Sequence, residues 1–294
     1  MHARLAVLIL IISSIAWGLT WVPIKALNDM GLNSLHMILI TFVTGSLVSS
    51  PWLVRQYPSW RGKLKFMLMI AIAGGIANLA FQTAIYYGNV VRAMILFYLL
   101  PVWSVIGGRI FLHEKIDGLR LLAVVLCLSG AAMILEIGVD IWQNISWLDV
   151  FAIASGMGLA ATNILFRFTP EIPVMSKVGA MFSGCAVLIS ISIIIMAPSA
   201  AIPDNGAVPL AMLYGGVWLL LATLATQWGV TQMEAGRSSV IIVMELVTAI
   251  LSAALLSSAE LSLKEMTGAA MVITAVILEG MRSDAENEVL LIQK

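Results

Sequence analysis

What most restricts this chain is the length of its apolar runs. Separated by clusters of Pro, Gly, Asn and charged residues, ten mostly apolar stretches follow one another, each of about 20 residues and so long enough to cross a bilayer as a helix. Their limits fall near 4–26, 33–54, 64–87, 91–112, 118–137, 147–167, 176–197, 208–231, 237–258 and 263–281. Composition excludes a water-soluble globule: 61% of the 294 residues are hydrophobic and 11% are charged, against roughly 25% charged in an ordinary soluble domain. The mean hydropathy is +1.01. No segment between the runs is long enough to fold as a domain, so function is expected inside the membrane.

The first run also has features of a secretory signal, with Arg4, an apolar stretch and the small residues Ser14 and Ala16. It is read as uncleaved, because its polar continuation through Trp17, Thr20 and Trp21 is unlike a signal. Sixteen Lys and Arg balance sixteen Asp and Glu, which leaves no basic footprint for nucleic acid. Their placement is uneven. With the N-terminus in the cytoplasm, Arg4, Arg55, Arg61, Lys63, Lys65, Arg109, Lys115, Arg120, Arg167, Lys177, Arg237, Arg282 and Lys294 fall inside, and Lys25, Arg92 and Lys264 fall outside. That thirteen-to-three bias predicts that both termini are cytoplasmic. Cys127 and Cys185 sit within apolar runs, which suits small buried hydrophobes better than a disulfide or a metal site. No cofactor is expected.

A shift of 145 residues superposes Gln82 on Gln227, Arg92 on Arg237, Asn78 on Thr223 and Tyr86 on Thr231, and a shift of 140 brings Gly18 onto Gly158. The fold expected is therefore an all-α integral membrane protein of two five-helix repeats, 1–140 and 141–282, with a short tail at 283–294. Because five is odd, the second repeat enters the bilayer from the opposite side. Inverted repeats of this kind build transporters whose site lies near the midplane between the halves.

The stretch Trp17-Gly18-Leu19-Thr20-Trp21-Val22-Pro23-Ile24-Lys25 resembles the first-span signature of the drug/metabolite transporter superfamily, EamA type. The run from Ala84 through Val90-Val91-Arg92 and Leu99-Leu100-Pro101-Val102 to Glu114 resembles its paired third and fourth spans. Gly236-Arg237, Met244-Glu245-Leu246-Val247 and Glu260-Leu261-Ser262 resemble the same block a second time. The resemblance implies ten helices, both termini inside, and export or exchange of small metabolites through a central cavity lined by spans 1, 3, 4, 6, 8 and 9. Leu246 stands where the family has proline, and this removes the usual cause of a kink in the ninth span.

Side chains four residues apart share a helix face, so Asn78, Gln82 and Tyr86 form one polar stripe and Thr223, Gln227 and Thr231 its counterpart. Polar groups facing lipid are costly, which directs both stripes inward, to line a pocket or to pack between helices. Glu245 is the sharpest candidate, an acidic residue about eight positions inside the ninth span. On an unbroken helix it shares a face with Ser238, Thr248 and Ser252. An apolar neighbourhood favours its protonated form, which suits either proton coupling or a counter-charge for a substrate ammonium; a protonated glutamate that only fixes helix packing is the alternative.

The equivalent face of span 4 carries Leu100, Trp103 and Gly107 and leaves Tyr98 nearly opposite, toward packing or lipid. Trp17 and Trp21 are candidates for touching substrate on span 1, as is Thr162 on span 6; Trp21, near Lys25, also suits an interfacial anchor. Arg92 and Arg237 cap opposite faces as gates or turn supports, or as contacts to lipid headgroups. Glu114 and Glu260 close spans 4 and 9 and read as structural. His113-Glu114-Lys115-Ile116-Asp117 begins like a zinc-protease motif but lacks its second histidine.

The chain has no phosphate-binding Gly-Lys-Ser/Thr loop, so a gradient-driven secondary transporter is expected rather than a nucleotide-driven one. An intramembrane enzyme would need clustered carboxylates, paired histidines or an activated nucleophile, and His2, His36 and His113 are dispersed. A lipid flippase or drug exporter of the same fold is the remaining alternative. No basic residue lies at mid-depth, which disfavours strong anions. Amino acids, other zwitterions, amines and moderately apolar drugs are left. The partners expected are a small metabolite, the bilayer of a bacterial inner membrane, coupling protons and no nucleic acid, with the chain a monomer or a homodimer.

Overall fold

The protein was examined as a computed structural model that describes residues 2–136, 146–196, 203, 205–257 and 260–282. Over these residues the chain is helical and contains no strand. The helices are α1 (His2–Gly18), α2 (Trp21–Asp29), α3 (Ser34–Arg55), α4 (Tyr57–Trp60), α5 (Leu64–Tyr87), α6 (Val90–Phe97), α7 (Leu100–Phe111) and α8 (Gly118–Ile134), followed by α9 (Leu148–Phe168), α10 (Val174–Met196), α11 (Ala207–Leu213), α12 (Leu220–Gln232), α13 (Ala235–Ile242), α14 (Met244–Ser257) and α15 (Leu263–Gly280). A single 3₁₀ turn, Arg61–Lys63, precedes α5, and a π segment, Tyr214–Leu219, joins α11 to α12.

Long apolar runs become helices because a helix satisfies its own backbone groups, which lipid cannot do. Their ends are set by local chemistry. Asn33 Oδ1 accepts from the Leu35 N–H at 2.9 Å, Asp117 Oδ1 from that of Arg120 at 2.8 Å, and Ser262 with Glu265 forms a reciprocal capping box.

Among the described residues, eight helical stretches are long and apolar enough to cross a membrane: Arg4–Asp29, Ser34–Arg55, Tyr57–Ile85, Val90–Phe111, Leu148–Phe168, Val174–Ile195, Ala207–Gln232 and Ala235–Leu256. The expected fifth and tenth spans are the helices outside this set. α8 has 17 residues, about 25 Å at helical rise, and α15 carries Lys264, Glu265 and Glu279 in its 18. These two pack along each other at a glycine crossing, where a Cβ on Gly130 would lie 2.6 Å from the Gly268 carbonyl oxygen and the reverse is equally close. Large apolar side chains are exposed on the outside of the bundle, among them Leu255, Ile194 and Ile195, as expected of a lipid-facing surface.

Several expected spans are broken. Span 1 turns at Leu19–Thr20 between α1 and α2, and the Thr20 hydroxyl donates to the Trp17 carbonyl at 2.7 Å. Span 4 turns at Tyr98–Leu99 and span 9 at Val243. The ninth-span break corrects the expectation drawn from Leu246, because it occurs without proline. It also falls where the shift of 145 places the break of span 4. Among the helix neighbours, α5 packs on α9 and α12 on α1, α7 on α9 and α14 on α1, and α3 on α10, α8 on α15 and α7 on α13.

Candidate functional site

Side-chain hydrogen bonds join five spans inside the bundle. The Trp17 indole Nε1 donates to Thr226 Oγ1 at 3.2 Å and that of Trp21 to Ser252 Oγ at 2.9 Å, tying span 1 to spans 8 and 9. Gln227 Nε2 donates to Asn163 Oδ1 at 3.0 Å, tying span 8 to span 6. The Tyr98 hydroxyl donates to Glu245 Oε1 at 3.0 Å, tying the break of span 4 to that of span 9. Around them stand Phe97, edge-on to Tyr98 at 5.3 Å, and Phe81, tilted on Phe97 at 4.7 Å. The Trp103 indole N–H, the Asn163 amide nitrogen and the Gln227 amide oxygen are buried without a hydrogen-bond partner. Buried orphans of this kind cost on the order of 1–3 kcal/mol each, so they mark places where a polar visitor would be welcome.

The expected site residues divide into two groups. Trp17, Trp21, Gln227 and Glu245 reach across helices as just described. Thr162, Thr223, Thr231 and Thr248 instead donate to carbonyls of their own helices, those of Gly158, Leu219, Trp228 and Met244. Asn78 likewise donates to the Gly74 carbonyl at 2.9 Å. Gln82 is half-buried near the end of α5 that meets α6, whereas Gln227 is buried near the end of α12 that meets α13. The hydrogen-bond partner of Gln227 is therefore Asn163 rather than its repeat-mate. The side chain of Tyr86 lies outside the described residues, as does the tail from 283.

Tyr98, expected to pack or to face lipid, packs inside: it is only 5% exposed, lies in the two-residue turn between α6 and α7, and donates to Glu245. Asn163, Thr226 and Ser252 complete the bonded set. Asn163 directly follows Thr162, and the signal that could have found it was an amide deep in an apolar run.

The two arginines, expected as gates, turn supports or headgroup contacts, have partners within the bundle. Arg92 is buried, and its Nε pairs with Asp149 Oδ1 at 2.7 Å, bridging the starts of α6 and α9. Arg237 is buried, and its Nη2 donates to the Gly280 carbonyl at 3.2 Å.

At the α13 end the bundle holds a charge network that sequence reading missed. His113, at φ 57°, turns the chain after α7 so that the Glu114 N–H reaches the Gly108 carbonyl at 3.1 Å. Glu114 then lies against Gly108, where a Cβ would come within 2.6 Å of Oε2. Both Glu114 oxygens accept from the Ala235 N–H at 3.0 Å, capping α13, and Oε1 pairs with Arg167 Nε at 2.9 Å. Burial pushes the Glu114 carboxyl above the ordinary carboxylate range, and Arg167 and the Ala235 N–H pull against that rise.

Arg120 is almost wholly buried and bonds Glu234, with Glu279 at 3.5 Å. Arg282 closes the ring, joining Asp117 and lying 3.7 Å from Glu279. Asp117 has some burial, which favours its acid form, but the Arg120 N–H and the Arg282 guanidinium outweigh it and hold the carboxyl below the ordinary range. With Arg237 beside Glu279, four cations face four anions. The network is neutral within itself and has no net charge with which to recruit an ion.

The two cavities described lie elsewhere. One of about 260 Å³ is lined by Ala132, Met133, Glu136 and Lys264. The other, of about 330 Å³, is apolar and runs between α5 and α10 past Ile76 and Gly184. Among the described residues no cluster of His, Cys, Asp and Glu could hold a metal ion.

These features define an integral membrane protein built of packed apolar helices joined by internal polar bonds. Residues 4–136 match the profile of the EamA-like transporter family, a family of membrane transporters, and the EamA-type character read from the first repeat is thereby established over them. The matched segment stops short of Gly236–Ser262, the stretch resembling a second copy. A solved crystal structure superposes with a TM-score of 0.79 over 93% of this chain and 96% of its own, at 15% sequence identity. At that identity what is shared is the fold. No curated protein matches the chain.

Proposed function

We propose that the protein is a secondary active transporter of ten spans, arranged as inverted repeats 1–140 and 141–282, that exports or exchanges small metabolites by alternating access. The observation that carries this reading is the set of polar bonds converging from spans 1, 4, 6, 8 and 9 beside two equivalent helix breaks. Broken helices at mid-membrane free backbone groups and side chains that a transport site uses. The mirrored helix neighbours support the inverted repeat, and the thirteen-to-three basic bias supports cytoplasmic termini in a bacterial inner membrane.

The substrate class that suits the site is an amine, an amino acid or another zwitterion. Glu245 supplies the one carboxylate at the break, Trp17, Trp21, Trp103 and Phe97 supply aromatic walls, and the Asn163–Gln227 pair supplies one free N–H₂ and one free carbonyl whichever way the two amides are oriented. Glu245 couples transport to a proton or to the substrate's charge. Gln82, with Asn78, Tyr86 and the threonines Thr162, Thr223, Thr231 and Thr248, lines the approach. Arg92 and Arg237 hold the two ends.

The α13 end is closed in this conformation: all eight residues of α13 are buried, against Arg92, Ala93 and Leu96 in the equivalent α6. A thermal-shift screen of purified protein across amino acids and amines, followed by uptake of each stabilising compound into proteoliposomes, tests the reading. Saturable uptake that Glu245→Gln abolishes is expected. Absence of uptake for every stabilising compound would contradict it. The apolar groove between α5 and α10 is the feature that a lipid-flipping activity would use, and a fluorescent-lipid scrambling assay on the same vesicles separates the two.

A further inference from the structure

We infer that Tyr98 is the positioning residue of Glu245, so that the bond between them makes the joint of the two broken spans sensitive to the ionisation of one carboxyl. The inference rests on the reading of Glu245 as the coupling residue. Tyr98 belongs to the two-residue turn between α6 and α7, and Glu245 is the second residue of α14, just past the turn at Val243. The two turns are equivalent under the shift of 145, which places Tyr98 on Val243 and Leu100 on Glu245. The bond itself has no mirror image, since Val243 and Leu100 carry nothing that could repeat it. It is a single tie across an otherwise symmetric pair.

The chemistry of the tie depends on the charge of Glu245. A hydroxyl donating to a carboxylate makes a charge-assisted bond, roughly twice as strong as one to a neutral acceptor. When Glu245 takes up a proton on its carboxylate, Tyr98 keeps its own hydrogen and the bond between them weakens. A substrate ammonium pairing with the same carboxylate competes for the same lone pairs. Either event loosens the hold of span 4 on span 9 at the point where both are already broken, and loss of the proton restores it.

Few other charges bear on the pair. Cys127 of α8 lies next to Tyr98. The remaining charged groups on the elements packed against α14 sit toward the helix ends: Arg4 on α1, Arg120 on α8, Arg237 on α13, and Lys264, Glu265 and Glu279 on α15. Those around Tyr98 on its own span and on α9, namely Arg92, Arg109, Asp149 and Arg167, do likewise. The α1 surface passing Glu245 is Gly18, with the Ser14 hydroxyl bonded one turn back to the Leu10 carbonyl. Ionisation of Glu245 is therefore read out chiefly by Tyr98.

The test uses purified full-length protein in lipid and needs no ligand. The infrared carbonyl band of a protonated carboxylic acid is followed against pH, and the part belonging to Glu245 is identified by its loss in Glu245→Gln. Tyr98→Phe keeps the ring and removes only the donor, so the Glu245 band should persist to higher pH, with its midpoint moved up by about one unit. The double variant should match Glu245→Gln, and thermal unfolding should show Tyr98→Phe folded. An unmoved midpoint in Tyr98→Phe would overturn the inference, as would a Glu245 band absent at every pH. Proteoliposome uptake separates the two levels of the claim: a moved midpoint with pH-independent uptake sinks the coupling reading alone, whereas pH-dependent uptake with an unmoved midpoint sinks the role of Tyr98 alone.

Discussion

The two ends of the bundle hold their broken spans by different means. At the α6 end, Asn89 caps its own helix by accepting from the Arg92 N–H at 2.9 Å, and among the described residues the Arg92–Asp149 ion pair joins span 4 to span 6. At the α13 end the cap of α13 is borrowed from another span, Glu114, and eight charged groups drawn from spans 4, 5, 6, 8, 9 and 10 or their connecting loops interlock. Glu260, which the sequence pairs with Glu114, is exposed. The lesson is that helices matched under the proposed repeat do not impose matching closure. A transporter that opens at alternate ends needs each closure to be breakable, and a neutral ion network exchanges its internal contacts for water more readily than an apolar seal of the same size would.

The largest effect should come from Arg120→Met. It leaves Glu234 and the fully buried Glu279 without their shared cation, and breaking a buried pair from one side costs about 3–5 kcal/mol. Loss of most folded protein on size-exclusion chromatography in detergent is expected. Arg92→Met at the other end should cost less, about 2 kcal/mol, because Asp149 is also held by the Ser146 N–H at 2.7 Å. Equal losses would break the comparison.

Gly108→Ala sharpens it. The new Cβ would press on Glu114 and displace the borrowed cap of α13, at a cost of about 1–3 kcal/mol, seen as a lower melting temperature. Loss of that extra cost when Gly108→Ala is made in a Glu114→Ala background would show that the Glu114 side chain is what the methyl displaces.

The smallest effect belongs to Asp117→Asn, since its side chain is 45% exposed and such pairs contribute below about 1 kcal/mol. Its pH dependence has a definite sign. The folded carboxyl lies below its ordinary range, so the contribution is complete above that range and disappears as pH falls through the folded value. Thermal unfolding compared between the variant and the parent protein should converge in acid.

Much of the fold was legible because bilayer thickness sets helix length, and the runs read from hydropathy coincide with the helices to within a few residues. Breaks were legible only in part. Pro101 follows the turn of span 4, but nothing in the sequence near Val243 announces its break.

The same breaks explain what the sequence left out at the site. Face assignments assume a constant 100° per residue, so they could not place the Tyr98 hydroxyl, inside a turn, on Glu245. Glu245 was legible because its burial conflicts with its charge and needs no wheel to be noticed. The threonine hydroxyls donate to carbonyls of their own helices, an option open to a hydroxyl whichever way it faces and one that spacing does not reveal. The charge network was invisible because Arg120, Glu234 and Glu279 meet only through tertiary packing.

The central claim is a transport path closed at the α13 end and approachable from the α6 end. Thiol labelling tests it directly, with Cys127 and Cys185 first replaced by Ala, and with Gln82→Cys and Gln227→Cys made singly and reconstituted. In the resting protein a small charged thiol reagent should label position 82 at least tenfold faster than position 227, and adding Glu114→Gln should speed labelling at 227. Equal rates at the two positions, or labelling at 227 that Glu114→Gln leaves unchanged, would contradict the account.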